Sequence, residues 1–196
     1  MKRLFDIFFS LAGLIILSPL FIIISLIIII DSRGGVFFVQ KRVGKNNIDF
    51  KMFKFRTMRI NSDIKGLLTV GSKDNRITGA GYYLRKFKMD ELPQLVNVLI
   101  GKMSLVGPRP EVRKYVELYS EEQKKVLSIK PGISDYASII YADENSILSR
   151  SENPEDYYIQ HIMPRKLSLN IKYIQNKGLG KDFYVICKTF LRIIKR

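Results

Sequence analysis

The sequence predicts an α/β fold that is mostly helical, with a small β-hairpin or sheet and an N-terminal membrane helix. Three patterns lead to this prediction: an uncharged apolar run at residues 7–30, apolar and basic alternation at 50–58, and apolar residues at helical spacing at 92–99. We therefore predict two domains. Residues 1–32 form a membrane segment kinked at Ser18-Pro19, and residues 33–196 form a folded domain with amphipathic helices at the membrane surface.

The apolar run is long enough to span the hydrocarbon core of a bilayer, which takes about 20 residues. Pro19 lies in its middle. Because proline lacks an N–H group and its ring clashes with the carbonyl group of Ile15, we predict a kink there. The Ser18 hydroxyl group is predicted to bond to the Leu14 carbonyl group and to ease the break.

Two topologies fit this segment: a kinked helix that spans the membrane, and a re-entrant hairpin whose ends lie on one side. Positively charged residues prefer the cytoplasmic side, and they flank the segment at both ends, at Lys2, Arg3, Arg33, Lys41, Arg42 and Lys45. A single span cannot place both flanks in the cytoplasm, whereas a hairpin can. The charge pattern holds only on balance, so both topologies stay open.

The composition limits the possible functions. A formal net charge of +15, from 33 Lys and Arg against 18 Asp and Glu, favours an anionic partner. With a membrane segment present, anionic lipid and phosphorylated substrates are better candidates than nucleic acid, for which no recognition motif is found. The single cysteine, Cys187, excludes an internal disulfide and a zinc site built on several cysteines. The single histidine, His161, argues against a histidine-based triad.

Basic residues are concentrated in residues 33–60, where Asp49 is the acidic residue. The alternation at 50–58 puts Phe53 and Phe55 on one face of a strand and Lys54 and Arg56 on the other. This basic face is either a solvated edge protected by charge or a surface that contacts phosphate or lipid headgroups. Its one-sidedness and its closeness to the membrane segment favour the second interpretation.

The adjacent carboxylates Asp90 and Glu91 begin the helix predicted at 92–99. A polar loop is predicted before them at residues 60–80, followed by a short helix at 82–87 that carries Arg85 toward the pair. Asp is a favoured N-cap residue, so spacing alone favours capping over catalysis for Asp90. The two roles are compatible, because free N–H groups at a helix start also stabilise phosphate.

A stiff loop follows this helix. Pro108 and Pro110 bracket Arg109 and restrict the backbone on both sides of it. The loop would present the guanidinium group as a bidentate phosphate clamp requires, although an ordinary turn with an exposed arginine also fits. Near the C terminus, residues 181–196 alternate apolar and basic positions, which fits a core helix or a basic helix in the headgroup layer.

In combination, these motifs resemble the bacterial sugar transferases, the small monotopic phosphoglycosyl transferases that act on polyprenyl phosphate. The matching segments follow the family's order and cover nearly the whole chain: Lys2-Arg3-Leu4-Phe5-Asp6, Ser18-Pro19, Gln40-Lys41-Arg42-Val43-Gly44, Lys54-Phe55-Arg56-Thr57-Met58, Asp90-Glu91-Leu92-Pro93-Gln94-Leu95, Ser104-Leu105-Val106-Gly107-Pro108-Arg109-Pro110 and Lys130-Pro131-Gly132-Ile133. No single segment is decisive, but the set is highly specific.

The resemblance implies a re-entrant hairpin broken at Ser18-Pro19, a UDP-sugar donor, a polyprenyl phosphate acceptor such as undecaprenyl phosphate, Mg²⁺ as cofactor and a catalytic domain on the cytoplasmic face of the inner membrane. Asp90 would attack the donor's β-phosphate, release UMP and leave a phosphosugar-aspartate that the acceptor then attacks. Glu91 would bind Mg²⁺ with Asp90 or assist Asp90. Phosphate contacts are expected first from Arg109 and then, as phosphate or structural contacts, from Lys54, Arg56 and Arg85.

The sequence departs from the family pattern at two places. Ser134-Asp135-Tyr136 stands where the family often has Thr-Gly-Trp, and Asn170 stands where many members have Asp. These differences bear on the choice of sugar and leave the acidic pair intact. The competing interpretation is a membrane-anchored, non-catalytic protein that binds nucleic acid or anionic lipid through its net charge.

Overall fold

The computed structural model describes residues 1–60, 74–141 and 144–194. The helices are α1 (Lys2–Ile16), α2 (Ser18–Asp31), α3 (Gly79–Lys86), α4 (Gln94–Leu99), α5 (Arg113–Val116), α6 (Tyr136–Ile140), α7 (Glu144–Leu148), α8 (Pro154–Tyr157), α9 (Met163–Gln175) and α10 (Leu179–Ile194). The strands are β1 (Phe37–Val43), β2 (Asp49–Phe55), β3 (Ser104–Val106) and β4 (Gly132–Ser134). The predicted mostly helical α/β fold is therefore confirmed.

The chain bends where Pro19 predicts it. Ser18 and Pro19 open α2, and the axes of α1 and α2 differ by 60°. The Ser18 hydroxyl group donates to the Ile15 carbonyl group at 2.8 Å, so the predicted partner, Leu14, is wrong by one residue. Within the described residues, no single helix is long and apolar enough to cross a membrane, and only the bent pair α1–α2 has the length and composition together.

Strands β1 and β2 form the predicted antiparallel hairpin, in a register that pairs Phe37 with Phe55 and Val43 with Asp49. Asn46 and Asn47 adopt positive φ angles in the connecting turn, which asparagine tolerates better than most residues. The edge of β2 is closed by Asn97 of α4, whose side chain accepts from Phe53 N at 2.9 Å and donates to Lys51 O at 2.8 Å. This contact fixes α4 against β2.

Strands β3 and β4 form a second, parallel two-stranded sheet that the sequence pattern did not predict. The loop after β3 packs so closely on β4 that a Cβ atom added at Gly132 would lie 2.1 Å from the backbone nitrogen atom of Gly107. Only glycine allows this approach. The contact holds the start of the loop that carries Arg109.

Helix α1 is attached to the body by its first charged residues. Arg3 donates to the last carbonyl groups of α4, Val98 O at 2.6 Å and Leu99 O at 2.7 Å. Asp6, which is buried, accepts from Ser104 Oγ and Leu105 N of β3, both at 3.0 Å. These bonds connect α1 to α4, which follows the acidic pair, and to β3, which precedes the loop that carries Arg109.

The other end of the α1–α2 pair, the C-terminal end of α2, is held by Arg56. Its buried guanidinium group donates to carbonyl groups at the end of α2, including Ser32 O at 2.7 Å and Arg33 O at 2.6 Å. Ile24 and Ile28 of α2 pack with Phe55 and Leu84 in an apolar cluster. Both ends of the α1–α2 pair therefore contact the same folded body.

The predicted polar loop at residues 60–80 falls largely on residues 61–73, which lie outside the described part of the chain. The helix predicted at 82–87 begins earlier, at Gly79, because the Thr78 side chain caps it by accepting from Gly81 N. The rest of the body is held by a larger apolar cluster built from α5, α7, α9 and the turns between them.

Candidate active site

The acidic pair lies in a 3₁₀ turn, Met89–Glu91, that leads into α4. Lys88 begins this turn in the left-handed region with a φ angle of 56°. The helix N-cap position is occupied by Pro93, and no side chain caps either the turn or α4. Asp90 is therefore not the N-cap that spacing favoured, and its burial needs another explanation.

Glu91 is fully engaged by two cations. Arg109 donates Nη1 to Glu91 Oε2 at 3.1 Å and Nη2 to Oε1, and Lys54 Nζ donates to the same Oε1 at 3.3 Å. Burial alone would raise the pKa of Glu91, but the charges of Arg109 and Lys54 outweigh it and hold that pKa well below its usual range. Glu91 is therefore ionised and fixes both cations in place.

Asp90 is buried to the same extent but is bound differently. Among the described residues, its Oδ1 atom is buried without a hydrogen-bond partner. Burial first, and the neighbouring negative charge of Glu91 second, raise the pKa of Asp90. A buried carboxylate with an unsatisfied oxygen is costly, so this atom is a candidate contact for a substrate or a cation.

Lys54 and Arg85, both predicted as site residues, interact electrostatically with the acidic pair. Burial lowers the pKa of Lys54 to about 8, with Glu91 opposing that shift. Burial likewise lowers the pKa of Arg85, and Asp90 is the strongest charge acting against it. Asp90, Glu91, Lys54, Arg85 and Arg109 therefore form one electrostatic cluster.

Arg56 does not join this cluster. Its guanidinium group is used on the carbonyl groups that end α2, so its contacts favour the structural one of its two predicted roles. The basic face predicted for β2 is thus divided in two: Lys54 contacts Glu91, whereas Arg56 holds the end of α2.

Sequence reasoning missed the residues behind Arg109. Arg42 of β1 donates to Glu111 Oε2 at 3.3 Å, and the Tyr158 hydroxyl group donates to Glu111 Oε1 at 2.6 Å. Burial lowers the pKa of Arg42, and Glu111 opposes that shift. The only sequence signal was Arg42 within the Gln40-to-Gly44 segment, because the ion pair joins positions far apart in the chain.

A preformed metal site is absent from the described residues, where no three His, Cys, Asp or Glu side chains come together. Both oxygens of Glu91 are occupied by cations, so the predicted role of Glu91 as a metal ligand does not fit this arrangement. Asp90 Oδ1 does fit. Mg²⁺ is often held by one carboxylate together with substrate phosphates and water, and one unsatisfied oxygen is enough for that arrangement.

Comparison with known proteins finds relatives for nearly the whole chain. The family model for bacterial sugar transferases matches residues 1–196. The chain is 36% identical to the UDP-N-acetylgalactosamine-undecaprenyl-phosphate N-acetylgalactosaminephosphotransferase of Aeromonas hydrophila over 98% of its length. It is 36% identical over 98% of its length to the undecaprenyl-phosphate glucose phosphotransferase of Komagataeibacter xylinus.

The lengths of these relatives differ from that of the chain, which spans 43% of the first and 36% of the second. It is also 33% identical to the exopolysaccharide production protein ExoY of Rhizobium meliloti, and there it spans 83% of the relative. The family match over all 196 residues agrees with the resemblance carried by the motifs. The chain therefore belongs to the bacterial sugar transferase family.

Proposed function

We propose that this protein transfers a sugar-1-phosphate from a UDP-sugar to a polyprenyl phosphate, giving a polyprenyl-diphospho-sugar and UMP. The observation that carries the proposal is Asp90, a buried carboxylate with an unsatisfied oxygen near Lys54. Its neighbour in the chain, Glu91, holds Arg109. Two relatives are named as transferases that use undecaprenyl phosphate, which makes that lipid the expected acceptor. Family membership also favours an enzyme over a non-catalytic binding protein.

In the first half-reaction, a carboxylate oxygen of Asp90 attacks the β-phosphorus atom of the UDP-sugar. The bond between that phosphorus and the oxygen bridging the two phosphates breaks, and UMP leaves with the bridging oxygen. The phosphosugar stays on Asp90 as an acyl phosphate. Burial supports this role, because a carboxylate that has lost its water shell and makes few hydrogen bonds is a better nucleophile than a solvated one.

In the second half-reaction, a phosphate oxygen of the polyprenyl phosphate attacks the same phosphorus atom. The bond to Asp90 breaks, the carboxylate is regenerated, and the sugar leaves as polyprenyl-diphospho-sugar. Arg109 and Lys54 are held by Glu91 at the edge of this centre, so their charges stabilise the transferring phosphoryl group without first being reoriented. Glu91 accordingly acts by positioning cations.

Mg²⁺ is part of the proposal, with Asp90 Oδ1 as its protein ligand. When bound, the ion would supply charge neutralisation for the diphosphate of the donor. Asp90 would be the residue that holds the ion. Arg85, on whose pKa Asp90 is the strongest neighbouring charge, would add positive charge near Asp90.

The re-entrant topology is proposed on geometric grounds. Helices of 15 and 14 residues are each about 21–22 Å long. With a bend of 60°, the apex lies about 11 Å from the line joining the two ends, less than half of a hydrocarbon core of about 30 Å. Arg3 joins one end of the α1–α2 pair to the body, and Arg56 of the body binds the other end. The body would then rest on the cytoplasmic leaflet of the inner membrane and contact anionic lipid.

The function is tested by measuring UMP release from a panel of UDP-sugars with undecaprenyl phosphate and Mg²⁺. UDP-N-acetylgalactosamine and UDP-glucose come first, since relatives are named for these sugars. We expect UMP and a lipid-linked sugar in equal amounts with at least one donor. Such a product would serve as the first membrane-linked intermediate of a surface glycan. Salt-dependent nucleic-acid binding without UMP from any donor would instead support the non-catalytic interpretation.

The topology is tested by cysteine labelling in a Cys187→Ser background. One cysteine is inserted after Met1, and another replaces Lys45, on the far side of the hairpin. A re-entrant hairpin predicts that an impermeant reagent labels both from the cytoplasmic side. Labelling of the two positions from opposite sides would establish a spanning helix.

A further inference from the structure

Strand β1 carries one of the sequence motifs, yet the proposed function gives that motif no role. Within it, the guanidinium group of Arg42 is held on two edges. Nε and Nη2 donate to Gln40 Oε1 at 3.1 and 2.8 Å, and Nη1 donates to Pro110 O at 3.1 Å and to Glu111 Oε2 at 3.3 Å. The planar group is therefore fixed in direction, with one edge on its own strand and the other on the loop that carries Arg109.

The loop that carries Arg109 is anchored on both sides of that residue. Before it, the backbone of β4 holds the loop through two hydrogen bonds, of 3.0 and 3.1 Å. After it, Val43 N donates to Glu111 O at 2.9 Å, and the Arg42 side chain donates to Pro110 O. Because the anchor from Arg42 is made by a side chain, a substitution can remove it and leave the backbone anchors in place.

Glu111 balances the charges of two neighbouring arginines. Arg42 and Arg109 are close enough that, after the larger effect of burial and against the pull of Glu111, the charge of Arg109 lowers the pKa of Arg42. Glu91 most strongly, and Glu111 more weakly, raise the pKa of Arg109. The second oxygen of Glu111 accepts from the Tyr158 hydroxyl group at 2.6 Å. Glu111 therefore lets two cations lie near each other while it is itself held on both oxygens.

Tyr158 comes from an irregular part of the helical layer. It begins a π-helical turn, Tyr158–Ile162, between α8 and α9, and it is 3% exposed. Such turns are rare, and they occur frequently at functional sites. Its hydroxyl group binds the Glu111 oxygen that Arg42 does not. Three parts of the chain, namely β1, the loop and this turn, therefore meet at one carboxylate.

We propose that Arg42 is a positioning residue, which fixes the loop backbone and thereby keeps the Arg109 guanidinium group aligned with the transferring phosphoryl group. Gln40 and Glu111 orient Arg42. Glu91 holds the far end of the Arg109 side chain. Arg42 acts through Arg109 and does not itself bind the substrate. This inference rests on the proposed function, in which Arg109 stabilises the charge of the phosphoryl group.

Stability alone explains this network poorly. The desolvation of a buried ion pair roughly offsets its attraction, so apolar residues of similar volume often stabilise a fold as well or better. Here the cost is higher, because Arg109 adds a second positive charge near Arg42. The forked geometry of arginine supplies what an apolar residue lacks, which is a fixed direction. Direction matters at this place, since a displacement of about 1 Å in a catalytic group can cost about 10²-fold in rate.

A double-mutant cycle in the full chain tests the proposal with Arg42→Lys and Arg109→Lys. Arg42→Lys keeps the charge but loses the fork that reaches Gln40 and Pro110 together. We expect kcat for UMP release to fall about tenfold, with KM for the UDP-sugar changed less than about twofold, because the loss is confined to the transition state. In the Arg109→Lys background, the same change should cost less than about twofold, because no guanidinium group is left to position.

Tyr158→Phe is a milder variant that keeps the test valid where Arg42→Lys lowers stability. It removes one hydrogen bond to Glu111, so kcat should fall about threefold in the otherwise unchanged chain and not at all in the Arg109→Lys background. Tyr115→Phe is the matched control, because Tyr115 packs against Tyr158 with 5.2 Å between ring centroids but donates to a different glutamate. It should leave kcat unchanged. Equal losses in both backgrounds would reveal a purely structural network and overturn the proposal.

A measurement that needs no turnover separates this proposal from the proposed function. The Nε–H NMR signal of Arg109 in the isotope-labelled chain, identified by its loss in Arg109→Lys, reports the orientation of the guanidinium group. It should shift in Arg42→Lys and in Tyr158→Phe, and it should stay in place in Tyr115→Phe. An unmoved signal in Arg42→Lys would overturn the positioning role. A shifted signal in a chain that releases no UMP from any donor would contradict the proposed function instead.

Discussion

The two sides of the acidic pair differ in every respect except burial. On the Glu91 side, two cations from distant elements saturate both oxygens and lower the pKa. On the Asp90 side, one oxygen lacks a partner among the described residues, and the pKa is raised. Adjacent carboxylates with opposite environments are suited to different tasks. The contrast supports the proposed roles, positioning of cations for Glu91 and nucleophilic attack for Asp90.

The largest expected effect is on the nucleophile. Asp90→Asn keeps the shape of the side chain but removes the attacking oxygen, so UMP release should fall by at least about 10³-fold. Asp49→Asn, an exposed substitution of the same kind, should leave UMP release unchanged. Normal turnover by Asp90→Asn would remove the distinction between the two carboxylates.

The next effect concerns Glu91 and separates activity from stability. Glu91→Gln leaves Arg109 and Lys54 without their counter-charge, so UMP release should fall by about 10²-fold and the free energy of unfolding by about 3 kcal/mol. Asp90→Asn should instead raise the midpoint of thermal unfolding, because it removes a buried charge that the fold disfavours. Glu117→Gln is the exposed control. Equal destabilisation by both acidic-pair variants would contradict their different environments.

The contributions of Glu91 and Asp90 to folding stability should change with pH in opposite directions. Glu91 has a lowered pKa in the folded protein, so its stabilisation is present above its unfolded value of about 4.3 and is lost as pH falls. Asp90 has a raised pKa, so its contribution is present at low pH and is lost as pH rises through that pKa. Unfolding midpoints of Glu91→Gln and Asp90→Asn, measured against pH, should therefore diverge as pH rises.

Lys54 is expected to set the upper pH limit of activity. With a pKa of about 8, it is charged below that pH and neutral above it, so kcat/KM should fall as pH rises past about 8. Lys54→Arg should move this limb to higher pH, because arginine keeps its charge. Lys51→Arg, an exposed change on the same strand, should leave the profile where it is. An unshifted limb in Lys54→Arg would assign it to another group.

The smallest expected effect is at the attachment of the hairpin. Arg3→Lys keeps the positive charge but loses the paired bonds to Val98 and Leu99 at the end of α4. Because α4 begins just after Asp90, kcat should fall about three- to tenfold with membrane association unchanged. Arg33→Lys is the control at an exposed position. Unchanged kcat in Arg3→Lys would show that α1 does not position the pair.

The sequence predicted what local patterns can encode. Pro19 marked the break, the alternation around Phe53 marked the β-hairpin, and the joined motifs identified the family. Contacts between distant segments were not predictable in the same way. The three-residue strands β3 and β4 carry too few residues for a period to be read, and they pair in parallel across a long connection.

The same limit applies inside the site. The residue types of the site were predictable, but the different surroundings of Asp90 and Glu91 were not. Lys54 reaches Glu91 from 37 positions earlier, and Arg109 reaches it from 18 positions later. Spacing alone made Asp90 a helix cap and left Arg56 between two roles. Only tertiary structure separates the bound carboxylate from the unsatisfied one.

The most direct test of the central claim is to supply the donor without the acceptor. The purified chain is mixed with the active UDP-sugar and Mg²⁺ but no polyprenyl phosphate, and UMP and intact protein mass are followed together. Our account predicts up to one equivalent of UMP per chain and a mass increase of one phosphosugar, located on the peptide that contains Asp90 and absent from Asp90→Asn. UMP release that requires the acceptor, with no adduct on the protein, would contradict it.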